Sequence, residues 1–314
     1  MLTTTAPGKL ILCGEHAVVY GRPALAVPVW GVQATVEIAA APTIDTGITF
    51  DAPDLGERWT LHNQPTHPLS VLTQFTLEHL GMTAGNFAVR LRSTIPVASG
   101  MGSGAALGAA LARAIAAWYD RPLDAATVSA LVYEGERLYH GTPSGIDNTV
   151  VSWGQPVWFE RTATGPLITP LQIGQAFTLV VGDTGVRCPT KITVGEVRAG
   201  WQRDPMRYEA LFDEIGTIGG AVRRHLAQGE IAAIGPLLDR NHALLDALGV
   251  NVPPLQRLVE AARGAGAWGA KLAGGGGGGV MFALVAPSLA ALVQAALVQA
   301  GAVQVLVTVV PRSL

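Results

Sequence analysis

The sequence predicts an α+β fold: strands and helices follow one another irregularly, without the strict alternation of a doubly wound parallel sheet. Three observations carry that reading. Residues Trp30 to Ala40 alternate, with Val32, Ala34, Val36 and Ile38 on one side and Gln33, Thr35 and Glu37 on the other, as a half-buried strand does. Ala105 to Trp118 is an Ala/Leu-rich run of high helix propensity. Gly269 to Val285 reads as a strand, a glycine loop and a second strand.

The remaining elements follow in order. Lys9-Leu10-Ile11-Leu12 closes an opening strand that ends at Gly14. Pro68 to Leu80 is helical and Phe87 to Ser93 is another alternating strand. Asp124 is placed to cap a helix that reaches Leu138, and a turn from His140 to Ser144 precedes the next helix. Periodicity lapses between Gly165 and Gly174, which puts a domain boundary there and gives domains 1–172 and 173–314. The second half opens on a buried strand, Phe177 to Gly182, and has three or four helices between Pro189 and Ala265. Helix Pro287 to Ala300 and strand Val303 to Val309 finish it; Leu289 to Val310, broken by Gln294, Gln299, Gly301 and Gln304, reads as buried helix and strand.

Composition narrows the function. The chain of 314 residues is 49% hydrophobic and 14% charged, yet no uninterrupted apolar stretch reaches the roughly 18 residues a membrane span needs. A net charge of −2 argues against a nucleic-acid footprint. The N-terminus carries no basic leader followed by an apolar run, so a cytosolic protein is expected. Cys13 and Cys188 match no metal-ligand spacing and read as reduced thiols.

The strongest chemical signal is Pro96 to Ile115, PVASGMGSGAALGAALARAI. Glycines at 100, 102 and 104 let a ligand approach the backbone, and the helix behind them offers unpaired N–H groups and a positive dipole end to a phosphate. It is not a Walker A loop, because no Gly-Lys-Ser/Thr follows a leading glycine at the required distance. The run Gly274 to Gly279 formally matches GxGxxG, but any glycine run would. Its cost in chain entropy implies that a ligand or another chain segment passes close to its backbone.

Three further segments hold reactive side chains. Ala6 to Gly21 contains Lys9, Glu15 and His16 inside an apolar stretch; Glu134 to Val150 contains Glu136 and Asp147, eleven residues apart across a Gly/Pro/Ser turn; Cys188 to Arg198 puts Thr190 and Lys191 at a helix start. Singly, each has an ordinary structural reading: a solvated helix residue for Glu136, a cap for Asp147, a snorkelling Lys9, a satisfied His16. Jointly with the glycine loop they supply what phosphoryl transfer to an alcohol needs. That is a phosphate cradle, a carboxylate for a divalent cation, a base and a cation.

Together these segments resemble the GHMP kinases, the family named for galactokinase, homoserine kinase, mevalonate kinase and phosphomevalonate kinase. PGKLILCGEHAVVYG is similar to its first motif, PVASGMGSGAA to its second and KLAGGGGGGV to its third, in the right order over almost the whole chain. GEHAVVYG and GERLYHGTPSGIDNTV resemble most the branch that phosphorylates mevalonate. The resemblance implies an N-terminal domain like ribosomal protein S5 domain 2, a ferredoxin-like C-terminal domain, and ATP, Mg²⁺ and mevalonate as ligands. It implies Asp147 as catalytic base and Lys9 as the cation beside the γ-phosphoryl, with Glu136 and Ser103 toward the metal. Ser93, Ala98, Ser99, Gly100, Met101, Gly102, Ser103 and Gly104 match nucleotide-binding positions, and His16 and Thr190 positions lining the acceptor pocket.

The chain departs from the family pattern. Gly104 stands where a second serine usually offers its hydroxyl to Mg²⁺, Ala273 where a threonine precedes the glycines, and Asp54 in place of the family's adenine-contacting asparagine. Other acceptors within the family (phosphomevalonate or a sugar), a decarboxylase and a non-catalytic binding protein are the competing readings, and a homodimer stays open.

Overall fold

A computed structural model describes residues 1–41, 47–83, 85–96, 99–140, 144–162 and 165–313, giving the backbone alone for 138–140. Contacts divide the chain into two compact units: Met1–Gly8, Val32–Pro96 and Gly102–Gly154 in the first, Lys9–Gly31, Val97–Met101 and Gln155–Leu314 in the second. Strands β1 (Leu2–Cys13) and β2 (Ala24–Ala40) run through both.

In the first unit, β3 (Ile48–Ala52), β4 (Glu57–Thr60) and β5 (Phe87–Ser93) join the second half of β2 in the order β4-β3-β5-β2. β2 and β5 are antiparallel, with Ala34 opposite Ser93 and Ala40 opposite Phe87. The alternation legible in β2 is the burial itself: Val32, Ala34, Val36 and Ile38 are all buried. β3 and β4, five and four residues long, are too short to show a period in the sequence. Phe50 and Trp59 stack across them at 4.8 Å, and Trp59 Nε1 donates to Ser70 Oγ at 3.0 Å.

Four helices complete this unit: α1 (Pro68–His79), α2 (Ser103–Trp118), α3 (Ala125–His140) and α4 (Ile146–Trp153). Asp124 caps α3 as expected, its Oδ1 accepting from Thr127 N at 2.7 Å. α2 buries Ala105, Ala106, Ala109, Ala110 and Ala112, and a Cβ on Gly108 would lie 3.0 Å from Leu72 on α1 and 3.4 Å from Val132 on α3. Small residues therefore set how closely these helices approach.

In the second unit, β6 (Val157–Thr162) pairs with the first half of β2, and β7 (Gly165–Pro170) pairs with β6. The lapse in periodicity near residue 165 is thus a strand, one with no fully buried residue and hence no pattern to read. β8 (Phe177–Asp183) precedes four helices: α5 (Thr190–Arg203), α6 (Pro205–Gln228), α7 (Ile234–Ala247) and α8 (Pro253–Gly264). Then come β9 (Gly269–Leu272), β10 (Val280–Val285), α9 (Ala290–Gln299) and β11 (Gln304–Val310). The strands form an antiparallel sheet ordered β11-β8-β10-β9, in which every residue of β8, β9 and β10 is buried. The last helix and strand are less buried than their sequence suggests: Leu292, Val298, Val303 and Val309 are exposed, since α9 and β11 each present only one face to the sheet. Among the described residues no helix is long and apolar enough to cross a membrane.

Two glycines make opposite predictions. Gly14 has φ +104°, and a Cβ there would lie 2.5 Å from Ala24 Cα, so Gly14→Ala should cost more than about 2 kcal/mol in a denaturant melt. Gly220, inside α6 with open space where a Cβ would point, should gain about 0.5–1 kcal/mol as Gly220→Ala. Equal effects at the two sites would contradict the packing described.

Candidate functional site

In the second unit, three glycine-bearing segments close on one another through their backbones. Lys9 N donates to Met101 O at 3.0 Å, which ties the middle of β1 to the loop before α2. That loop passes Gly100 (φ +83°) so near the glycine run that a Cβ on it would be 3.7 Å from Gly274 Cα. A Cβ on Gly279 would be 2.5 Å from Ser99 O. Ser99 and Met101 are buried, and Ser99 Oγ accepts from Met101 N at 3.4 Å. Ala98 lies outside the described residues.

The glycine run itself is held by chain packing. Gly277 N donates to Val250 O and Gly279 N to Val186 O, both at 2.8 Å, while Thr184 N and Oγ1 donate to Gly279 O at 2.9 and 2.7 Å. A Cβ on Gly276 would fall 2.3 Å from Val250 O, and one on Gly278 2.6 Å from Val186 O. Behind it, buried Asp183 accepts from Gly185 N and from both terminal nitrogens of Arg187 at 2.8–2.9 Å, fixing the turn after β8.

His16 and Thr190, placed together by the sequence reading, both adjoin Gly275. His16 Nε2 donates to Gly275 O at 3.0 Å, and a Cβ on Gly275 would be 3.0 Å from Thr190 Cγ2. Because a carbonyl only accepts, the proton sits on Nε2 and Nδ1 is left as an acceptor. His16 has φ +61° and ψ −50°, and Ala17 N donates to Glu15 O at 2.7 Å. This is a γ-turn of the strained hand on a non-glycine residue, a conformation kept only where its surroundings enforce it. Burial lowers the His16 pKa from 6.5 to about 4, so the ring is neutral at pH 7.

Glu15 and Lys271 form an ion pair with 1% and 0% side-chain exposure. Burial pushes the Glu15 carboxyl upward, and the Lys271 ammonium opposes it. Sequence reasoning missed Lys271, although the signal was the one that singled out Lys9: a lone lysine in an apolar run. Lys9 is itself buried, at 2%. Arg22 was missed too; it reaches Glu209 at 2.5 Å and Asp213 at 2.7 Å on α6, anchoring the turn after His16. Cys13 and Cys188 are free thiols, and burial raises Cys13 to about 12, which makes it inert at neutral pH.

The first unit holds the other predicted residues. Gly102 (φ +76°) caps α2, and Ser103 opens it. Ser103 Oγ lies 3.3 Å from Ser93 Oγ, and Ser93 N donates to Asp54 Oδ2 at 2.8 Å. A Cβ on Gly104 would meet nothing within 4 Å. Glu136 on α3 and Asp147 in the first turn of α4 are half-buried. The buried Asn148 Nδ2 donates to Ser129 O and Oγ at 3.0 and 2.9 Å, stapling α4 to α3 beside Asp147. Among the described residues no group of three His, Cys, Asp or Glu could hold a metal alone.

Residues 69–155 match the family profile described as GHMP kinases N terminal domain, and 222–303 match GHMP kinases C terminal. The mevalonate kinase of Thermococcus sibiricus is 31% identical over 303 residues, covering 89% of this chain and 88% of the relative. That of Thermococcus gammatolerans is 33% identical over 298 residues, covering 89% and 88%. Among solved structures, L. major mevalonate kinase in complex with R-mevalonate aligns with TM-score 0.85 and 27% identity over 100% of this chain and 97% of that one.

The buried His16 makes a stability prediction. Its folded pKa lies below the unfolded value, so the unfolded chain binds the extra proton between pH 6.5 and about 4, and stability falls as pH falls through that window. The contribution lost is about 3 kcal/mol. His16→Asn, which tolerates the positive φ, should flatten the melting temperature across that window relative to the parent; an unchanged slope would contradict it.

Proposed function

We propose that this chain, which belongs to the GHMP kinase family, transfers the γ-phosphoryl of ATP to the 5-hydroxyl of mevalonate, with Mg²⁺ as the metal. It is an ATP-dependent kinase acting on an alcohol. The observation that carries the reading is the meeting of Lys9, the Ser99–Met101 loop and the glycine run through direct backbone contacts. Such an arrangement holds a rigid, side-chain-free surface against which a triphosphate can lie. The mevalonate kinases that share about a third of its residues supply the acceptor.

Each role rests on one side chain. Asp147, in the first turn of α4, accepts the proton of the acceptor hydroxyl as its oxygen attacks phosphorus. Lys9 balances the charge that develops on the transferring phosphoryl. The N-terminus of α2, with Gly102, Ser103 and Gly104, faces the phosphate chain with its N–H groups, and Ser93 lies beside it. The neutral His16 and Thr190, on either side of Gly275, line the acceptor pocket.

The donor set suits Mg²⁺. Ser103 offers a hydroxyl and Glu136 a carboxylate; both are hard oxygen donors, and Mg²⁺ takes one or two protein oxygens plus phosphates and water. When bound, the ion neutralises phosphate charge. Domains 1–172 and 173–314 belong to the same proposal, supported by matched family segments on either side of residue 172, and the proposal includes a cytosolic setting.

A coupled assay of ADP release with mevalonate, phosphomevalonate, galactose and homoserine tests the acceptor. Turnover is expected on mevalonate, and silence there with turnover on another acceptor would overturn the assignment. Asp147→Ala should lose roughly 10³-fold or more in kcat while nucleotide affinity changes little; an unchanged rate removes Asp147 from its role. Gly104→Ser restores a hydroxyl where the space is open, and should lower the Mg²⁺ concentration for half-maximal rate by roughly 3-fold. No change would place residue 104 away from the metal.

A further inference from the structure

Between Lys271 and Arg312 the sequence holds no charged residue, and that stretch includes two surface elements, α9 and β11. Elements that face water normally mix charges of both signs into their outer face. The outer face of α9 instead carries Leu292, Ala295 and Val298, the leucine 56% and the valine 57% exposed. β11 closes one side of its sheet, pairing only with β8 among the described residues, so every second N–H and C=O along it points away from the sheet. Val305, Val307 and Val309 share one face, opposite Gly182, Val180 and Thr178 of β8. It is the face that α9 covers, because a Cβ on Gly182 would lie 3.2 Å from Leu297 Cδ1. Val307 and Val309 remain exposed beyond the helix, as does Val303 just before the strand. The features that normally guard a free edge are absent from Gln304–Val310: it has no lysine, no proline and no bulge, its register against β8 being unbroken.

We propose that β11 is the pairing edge of a homodimer: a second copy of this chain adds its own β11 antiparallel to the first, about a two-fold axis at Val307. Three features select a copy of the chain over other occupants. An antiparallel edge is complementary to itself in hydrogen bonding; Val307, the middle residue, meets its counterpart, and Val309 meets the partner's Val305. A surface without charge has nothing to steer or select an unlike, charged partner. A lipid-binding helix carries Lys or Arg on its polar face, and α9 has only Gln294 and Gln299 as polar residues. Opposed residues of an antiparallel pair point to the same face. The pairing therefore joins the two four-stranded sheets into one, with both α9 helices on one side of it, flanking the valines.

Sedimentation velocity on the full chain, over roughly 1 to 100 µM, tests the pairing alongside the double variant Val307→Lys/Val309→Lys. Neither position belongs to the proposed phosphoryl-transfer site. The parent is expected to sediment as a dimer with half-dissociation at or below about 10 µM, and the double variant to raise that concentration by about 100-fold or more. Val307→Cys, treated with a short bis-maleimide, should cross-link to twice the chain mass where the parent, with its free Cys13 and Cys188, does not. A parent that is monomeric at about 100 µM overturns the proposal. So does a dimer that the double variant leaves intact, or an open-ended series of larger assemblies. Should the double variant not fold, the cross-link decides: no doubling of mass with Val307→Cys overturns the pairing. A monomeric parent that pellets with vesicles of phosphatidylcholine and phosphatidylglycerol would assign the surface to lipid, and overturns it likewise.

Discussion

From Gly276 to Gly279 the chain passes through a gap that admits backbone and nothing more. Thr190 and Thr193, Val250, Cys188, Val186 and Ser99 press on it from successive sides, and a Cβ at 276, 277, 278 or 279 would fall within 3 Å of one of them. Gly274, Gly276, Gly277, Gly278 and Gly279 all have positive φ, so the conformation as well as the space requires glycine. Ordering each such residue costs roughly 1–2 kcal/mol of chain entropy. The hydrogen bonds to Val250, Val186 and Thr184 offset part of that.

Packed on successive sides, this run serves as the datum for the groups around it. Gly275 O fixes the His16 ring and its tautomer, Gly279 abuts Ser99, and Lys271, three residues before the run, locks Glu15. The strained turn at His16 persists because the ring is held at one end and Glu15 at the other. The loop proposed to face the phosphates thus rests on packing that would not itself touch them, which is how pre-organised electrostatics are obtained without reorganisation during a reaction.

Much of this was legible in sequence, for physical reasons that differ by element. Strands β2 and β5 are half-buried and so carry alternation; α2 is legible because its helix formers are also its small packing residues. β3, β4 and β7 were not legible, being too short or too exposed for burial to impose a pattern. The lapse of periodicity that suggested a boundary begins with such a strand, β7, whose residues are all partly exposed. In the proposed site, Lys9 stood out as a polar break in an apolar run, Glu136 and Asp147 as carboxylates across a Gly/Pro/Ser turn, and Ser99 to Gly104 as a glycine loop before a helix. Arg22 and Asp183 did not, and for Lys271 only its place in an apolar run was legible, because their partners lie about 190 to 260 residues away or in a turn that only the folded chain defines.

Amide hydrogen exchange with and without a non-hydrolysable ATP analogue and Mg²⁺ tests the central claim, that residues 99–104 hold the phosphates while 274–279 brace them. The account predicts that peptides covering 274–279 are slow to exchange already in the free protein and change little on binding. Peptides covering 99–104 should gain protection of at least about tenfold. The reverse pattern, with the glycine run fast when free and protected only by nucleotide, would contradict it.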